Sequence, residues 1–248
     1  MNTWLLLQKL GSPFSLIMTL GSLFGLVLLT WSVSEKKRFY FDGGAAVLFF
    51  ILLGARLDYV FFQRGLHFTD LLKIPQVWLG GLGPVGGVSG GGIGLIIVSL
   101  VGKRSINTLL DAYLPLWGAL AASLGLASLF GEMGYGPESN AWWAVPVQDE
   151  FGVFASRWPL HLTSGLIAGS ALFALAFLPQ EKDVLSPLGR RGSVGLLIFA
   201  VMFGAASAFR VDPGLFVWGL RWQTWACILL ALMALILIIF QGRCGSDE

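Results

Sequence analysis

Residues 222–241 read Trp-Gln-Thr-Trp-Ala-Cys-Ile-Leu-Leu-Ala-Leu-Met-Ala-Leu-Ile-Leu-Ile-Ile-Phe-Gln. No acidic or basic side chain interrupts the run. About 20 residues at 1.5 Å each cover the roughly 30 Å hydrocarbon core of a bilayer. Lipid offers the backbone no hydrogen-bond partners, so an apolar stretch of this length predicts a helix that satisfies its own amides. Upstream, comparable runs lie near 13–33, 43–62, 80–102, 109–131, 162–179 and 193–209. The pattern predicts an all-α membrane protein, a seven-transmembrane helical bundle forming a single domain over residues 1–248. The segment 133–161 is its longest loop, large enough to form a small cap on the bundle. A membrane barrel is excluded, because barrels show alternating segments of about ten residues rather than continuous apolar ones.

Composition agrees. The chain is 56% hydrophobic and 12% charged, with a mean hydropathy of +0.77. Soluble domains carry about 25% charged residues, and one this apolar would expose large patches and aggregate. A net charge of +2 gives no basis for a nucleic-acid partner. The run near 13–33 is too long for a signal peptide, has no small-residue cleavage site after it, and is followed by Lys36-Lys37-Arg38. Most of the ten tryptophans fall near span ends, as an interfacial aromatic belt requires. Cys227 reads as a small packing residue and Cys244 as a plain thiol. Neither a metal-binding pattern nor a cofactor motif is present, so none is expected.

Orientation follows from the basic residues. Lys36, Lys37, Arg38, Lys103, Arg104, Lys182, Arg190, Arg191 and Arg243 all fall after spans one, three, five and seven, in short segments. Lys9, Arg64, Lys73, Arg157, Arg210 and Arg221 are spread over the longer loops of the other side. The positive-inside rule then places the N-terminus outside and the C-terminus in the cytoplasm of a bacterial inner membrane, with 133–161 extracytoplasmic.

Ionisable residues at membrane depth are costly and draw attention as functional candidates. Gly54-Ala55-Arg56-Leu57-Asp58-Tyr59 carries two. Arg56 and Asp58 are two positions apart and face different sides of a helix. Arg56 either holds a phospholipid phosphate or is structural, bonded to carbonyls within the bundle or snorkelling outward. The run from Trp78 to Gly94 is so rich in glycine that a regular helix is disfavoured. It reads as a re-entrant turn, a place where a lipid head group approaches the backbone, or a site of close helix packing. Glu132 is placed at the outer boundary of span four. His67 and His161 are the only histidines and so the only candidates for a proton relay at neutral pH.

Taken in order, these stretches resemble the prolipoprotein diacylglyceryl transferase family. Its pattern Gly-Gly-Arg-x-Gly-Tyr is similar to Gly54 to Tyr59, and its Trp-x-Gly-Gly-Met-Ser-x-His-Gly-Gly lines up with Trp78 to Gly87. Its signature ending in Glu falls on the stretch that ends Gly131-Glu132. Its Arg-x-Pro-Ser-Gln-x-Tyr-Glu stretch falls on Arg157 to Ser164. A last region resembles Phe203 to Asp212. The resemblance implies seven spans and transfer of a diacylglyceryl group from phosphatidylglycerol to a lipobox cysteine. It also implies lipid contacts at Arg56, Tyr59, Gly80, Gly81, Gly86, Gly87, Arg157 and Arg210.

The departures fall on the chemistry. The family histidine before Gly-Gly is Val85 here, and no arginine occurs between 105 and 156. The signature asparagines become Ala127 and Phe130. The Ser, Tyr and Glu of the fourth block become Leu160, Thr163 and Ser164. Thioether formation needs a thiolate and a cation on the departing phosphate, and the groups suited to both are replaced. The sequence therefore reads as a catalytically degenerate relative that binds phospholipid or serves as a membrane subunit of a larger assembly. The alternative is an active transferase using Arg56, His161, Arg210 and Glu132. A transporter ranks last, for want of an inverted repeat.

Overall fold

The computed structural model describes residues 13–63, 81–131, 133–149, 151–177 and 190–244. Gly80, Glu132, His67 and Trp78, singled out above, lie outside them. The helices are α1 (Pro13–Ser32), α2 (Lys37–Asp58, extended by a wider π turn over Tyr59–Gln63), α3 (Pro84–Gly102), α4 (Ile106–Ala112), α5 (Leu114–Ser128), α6 (Leu160–Phe177), α7 (Arg190–Phe209) and α8 (Trp222–Cys244). Between α5 and α6 lies an antiparallel hairpin, β1 (Val145–Gln148) with β2 (Phe154–Arg157). A shorter hairpin, β3 (Phe216–Val217) with β4 (Leu220–Arg221), precedes α8. Six helices are each long and apolar enough to cross a bilayer, and α4 with α5 supplies a seventh if the pair is one span.

That pair corrects the expectation of one straight span over 109–131. It starts at Ile106 and bends by 54° at Tyr113. Pro115 has no N–H to give to the carbonyl four residues back, and its ring crowds that carbonyl, so the helix restarts at this point. The segment 133–161, read as a loop large enough for a small cap, contains the first hairpin. Both hairpins, the C-terminal end of α2 and the N-terminal end of α3 share one end of the bundle, as alternating spans require.

The glycine run shows the sharper difference. From Pro84 onward it forms a regular helix, not a re-entrant turn. Propensity is overridden because α3 packs against α2 nearly backbone to backbone. A Cβ on Gly90 would overlap the Phe50 carbonyl oxygen, and Cβ atoms on Gly54 and Gly86 would each overlap the other's carbonyl. In lipid, where apolar side chains gain nothing by leaving their surroundings, such close backbone contact is a main source of association. Small residues recur at the other seams. Gly25 meets Leu116 and Ala119, Gly118 meets Gly169, Gly125 meets Gly165, and Gly204 meets Cys227. Leu29, Val47, Leu109, Tyr113 and Leu116 fill the centre between α1, α2, α4 and α5 and are fully buried.

Two helices receive N-terminal caps from elsewhere in the chain. Gly83 at the start of α3 has no side chain to offer, and Asp58 at the end of α2 accepts from the Gly86 amide at 2.8 Å instead. Asp111 does the same for α7, accepting from Gly192 at 2.7 Å. Each carboxylate meets orphan amides and the positive end of a helix dipole.

The seam between α2 and α3 gives a contrast within one helix. Gly90→Ala is expected to lower the melting temperature in detergent by roughly 4–8 °C, since overpacking costs about 1–3 kcal/mol and outweighs alanine's better helix propensity. At Gly92 a Cβ would meet nothing within 4 Å, so Gly92→Ala is expected to leave the melting temperature unchanged or slightly raised.

Candidate functional site

Polar groups gather at the hairpin end in two clusters. The first is built where α2 meets α3. Arg56, on the last turn of α2, donates to the Gly81 carbonyl at 3.1 Å and lies 5.7 Å from the centre of the Tyr59 ring. The Gly83 amide donates to the Ala55 carbonyl at 2.7 Å. Gly81 has φ +79° and packs against Tyr59 so closely that a Cβ would overlap the ring. Of the two readings of Arg56, the structure shows the carbonyl-bonded one. Gly86 is buried between Gly54 and Asp58, and Gly87 faces Ala55 and Ile51. These glycines permit helix contact rather than line an open surface.

The second cluster joins the ends of α6 and α7 to the start of α8. Arg210, just beyond α7, makes a forked pair with Asp212, its Nε donating to Oδ1 at 2.7 Å and its Nη2 to Oδ2. Its Nη1 donates to Gln223 Oε1 and faces His161 Nε2 at 3.2 Å. Asp212 Oδ2 also accepts from the Gly134 amide at 3.2 Å. Arg221 closes the loop by donating to the carbonyls of Arg210, at 2.9 Å, and Asp212, with its guanidinium 5.0 Å over the Phe216 ring. Gly134, at φ +77°, lies so close to the His161 ring that a Cβ would overlap it, and its carbonyl accepts from the His161 amide at 3.0 Å. Phe62 stacks on Trp222 at 5.8 Å and links the two clusters.

The chemistry of His161 follows from its partner. A guanidinium carries only donors, so Nε2 of His161 is the acceptor and its proton sits on Nδ1. Nδ1 is buried and has no partner among the described residues. The nitrogen that would take a proton from a thiol is thus already occupied.

Burial alone raises the Asp212 carboxyl pKa. The hydrogen bonds and charge of Arg210, the Gly134 amide and Arg221 overcome this and hold it below its ordinary value. Asp212 is therefore a carboxylate, and it neutralises Arg210.

Arg157 stands apart from the lipid-contact expectation. It ends β2 and donates to Glu138 at 2.9 Å and Asp149 at 3.2 Å, with its guanidinium 5.0 Å over Tyr135. It holds the hairpin together. Tyr135 in turn accepts from the Val211 amide at 3.1 Å, so the hairpin is tied to the second cluster. Arg56, Arg157 and Arg210 are 7%, 8% and 9% exposed, and each is engaged by groups of the chain itself. Sequence reasoning missed Gln223, Arg221 and Gly134, and it marked Asp58 as a charge at membrane depth without its capping role. Asp58 had one available signal: the helix it caps begins Gly83-Pro84, without a capping side chain of its own.

A bundle of long apolar helices joined at glycine seams, with buried arginines gathered at one end, defines a multi-pass membrane protein. Residues 12–240 match the family model for prolipoprotein diacylglyceryl transferase, and the chain belongs to that family. It is 29% identical to the phosphatidylglycerol–prolipoprotein diacylglyceryl transferase of Streptococcus pneumoniae over 88% of this chain and 87% of that protein. It is 28% identical to the enzyme of that name from Streptomyces avermitilis, over 78% of this chain and 58% of the relative. Such bacterial relatives and the apolar helices make this a bacterial multi-pass membrane protein.

The second cluster predicts a defined acid response. Because the Asp212 pKa is lowered on folding, its stabilisation is present above the ordinary carboxylate range near pH 4 and is lost as pH falls through the lowered value. Asp212→Asn leaves Arg210 buried without its counter-ion and is expected to cost about 3–5 kcal/mol. Thermal unfolding in detergent at pH 7 checks this. In the variant, the part of the acid sensitivity due to this group should be gone.

Proposed function

We propose that this chain keeps the transferase scaffold without the transfer reaction, and works as a phospholipid-binding membrane protein or as the membrane subunit of a larger assembly. The observation that carries the reading is that the described arginines at the hairpin end are engaged by groups of the chain itself. Diacylglyceryl transfer leaves negative charge on a departing phosphate, and that charge needs a cation aimed at it. Arg210 spends its fork on Asp212, Arg157 its charge on Glu138 and Asp149, and Arg56 a donor on the Gly81 carbonyl. The positive end of α3, a ready anion site, is filled by Asp58, where the family pattern has glycine. His161, the base of the competing reading, accepts from Arg210 through the nitrogen it would need.

The same reading puts the hairpin end on the extracytoplasmic side of the inner membrane and the lysine-rich end in the cytoplasm, as the distribution of basic residues implies. A phosphatidylglycerol-like lipid is the ligand class, since the relatives' names specify that lipid as their substrate.

Expression in cells depleted of their own transferase tests the proposal. The expected outcome is no rescue of lipoprotein maturation, with phospholipid or other polypeptides retained when the chain is purified. Rescue would establish the competing reading of an active enzyme with rearranged groups.

A further inference from the structure

The described arginines at the hairpin end are engaged internally, whereas several cations at the opposite end, Lys36 and Arg104 among them, are not. Lys36 follows α1 and Arg104 follows α3, and both line one pocket of about 190 Å³ with Val33, Ser34, Glu35 and Tyr40. A water molecule takes about 30 Å³ of liquid volume, so a phosphate group with some of its hydration fits. Neither the Lys36 ammonium nor the Arg104 guanidinium has an ion-pair or hydrogen-bond partner among the described residues. Arg104 is anchored through its backbone, its amide donating to the Ser99 carbonyl at 3.1 Å and its carbonyl accepting from the Ser99 hydroxyl at 2.6 Å.

Tyr40 adds an independent observation. It is more than nine-tenths buried, and it forms part of the pocket wall. Its hydroxyl has no hydrogen-bond partner among the described residues. The first turn of α2 beside it has neither a side-chain cap nor an acidic residue, so its orphan amides and positive dipole end also favour an anion. Glu35 is the one carboxylate in the lining, against two cations. Trp31, 73% exposed and less than two turns before the pocket, marks the depth of the interfacial belt.

We propose that this pocket binds a phosphate-bearing anion, held by Lys36 and Arg104 with the Tyr40 hydroxyl as a further donor. The two sources of such a group are the head group of an anionic phospholipid in the adjoining leaflet and free phosphate. The site is separate from the hairpin end and does not depend on whether that end is catalytically inert.

The test uses the full chain purified in an uncharged detergent. It is titrated calorimetrically with inorganic phosphate and, in parallel, with short-chain dihexanoyl phosphatidylglycerol. At least one probe should bind. Lys36→Gln with Arg104→Gln should weaken that binding about tenfold or more, while Glu35→Gln should tighten it, as changes in charge-assisted contacts do. An effect confined to the lipid assigns a head-group site, and one confined to phosphate assigns a free-anion site. These side chains have no internal partners, so the melting temperature should hold in all variants. Should the double variant not fold, the Glu35→Gln arm decides alone. Failure of both probes to bind, or equal affinities in wild type and every folded variant, overturns the proposal.

Discussion

A guanidinium buried at the end of a membrane bundle needs acceptors supplied by the protein, because burial strips it of hydration. Arg210 meets that constraint with the forked pair to Asp212, and the surrounding architecture follows from it. Asp212 draws in the Gly134 amide and so fixes the chain entering the hairpin. Arg210 reaches His161 on α6 and Gln223 on α8, while Arg221 holds the backbone that carries the pair. Three spans and the hairpin are gathered by one ion pair. A buried pair of this kind is weak evidence for net stability, but removing one partner is strongly unfavourable.

On the proposed reading, the same pairing limits the chemistry. Diacylglyceryl transfer needs a cation on a leaving phosphate and a base for a thiol, and among the described residues Arg210, Asp212 and His161 engage one another. Asp58 does at the α3 terminus what Asp212 does beside Arg210: it puts a carboxylate where an external anion would otherwise be attracted. The scaffold survives because glycine seams and helix ends carry it. On the proposed reading, those features tolerate Val85, Leu160, Ala127 and Phe130 where the family pattern has polar residues.

Much of this was legible in the sequence. Apolar runs such as 222–241 gave the helices within a few residues at most ends, since the length of a span is imposed by the bilayer. The bend at Tyr113 was hidden because Pro115 sits inside an apolar run whose hydropathy does not register it. The glycine run left close helix packing and a re-entrant turn both open. Propensity opposes a helix there, but the α2 backbone contacts that favour one are non-local. At the candidate site, Arg56, Arg157, His161 and Arg210 stood out as isolated charges in apolar surroundings. Gln223 and Gly134 did not, because they are distant in sequence, and the capping role of Asp58 was hidden because the helix it serves begins more than twenty residues later.

Internal neutralisation of the hairpin end is the central claim, and transfer chemistry tests it most directly. The purified chain would be incubated with phosphatidylglycerol and a lipobox peptide, and the peptide mass measured over time beside an active family member. The account predicts an unmodified peptide. Appearance of the diacylglyceryl-modified peptide, abolished by Arg210→Ala or His161→Ala, would contradict it.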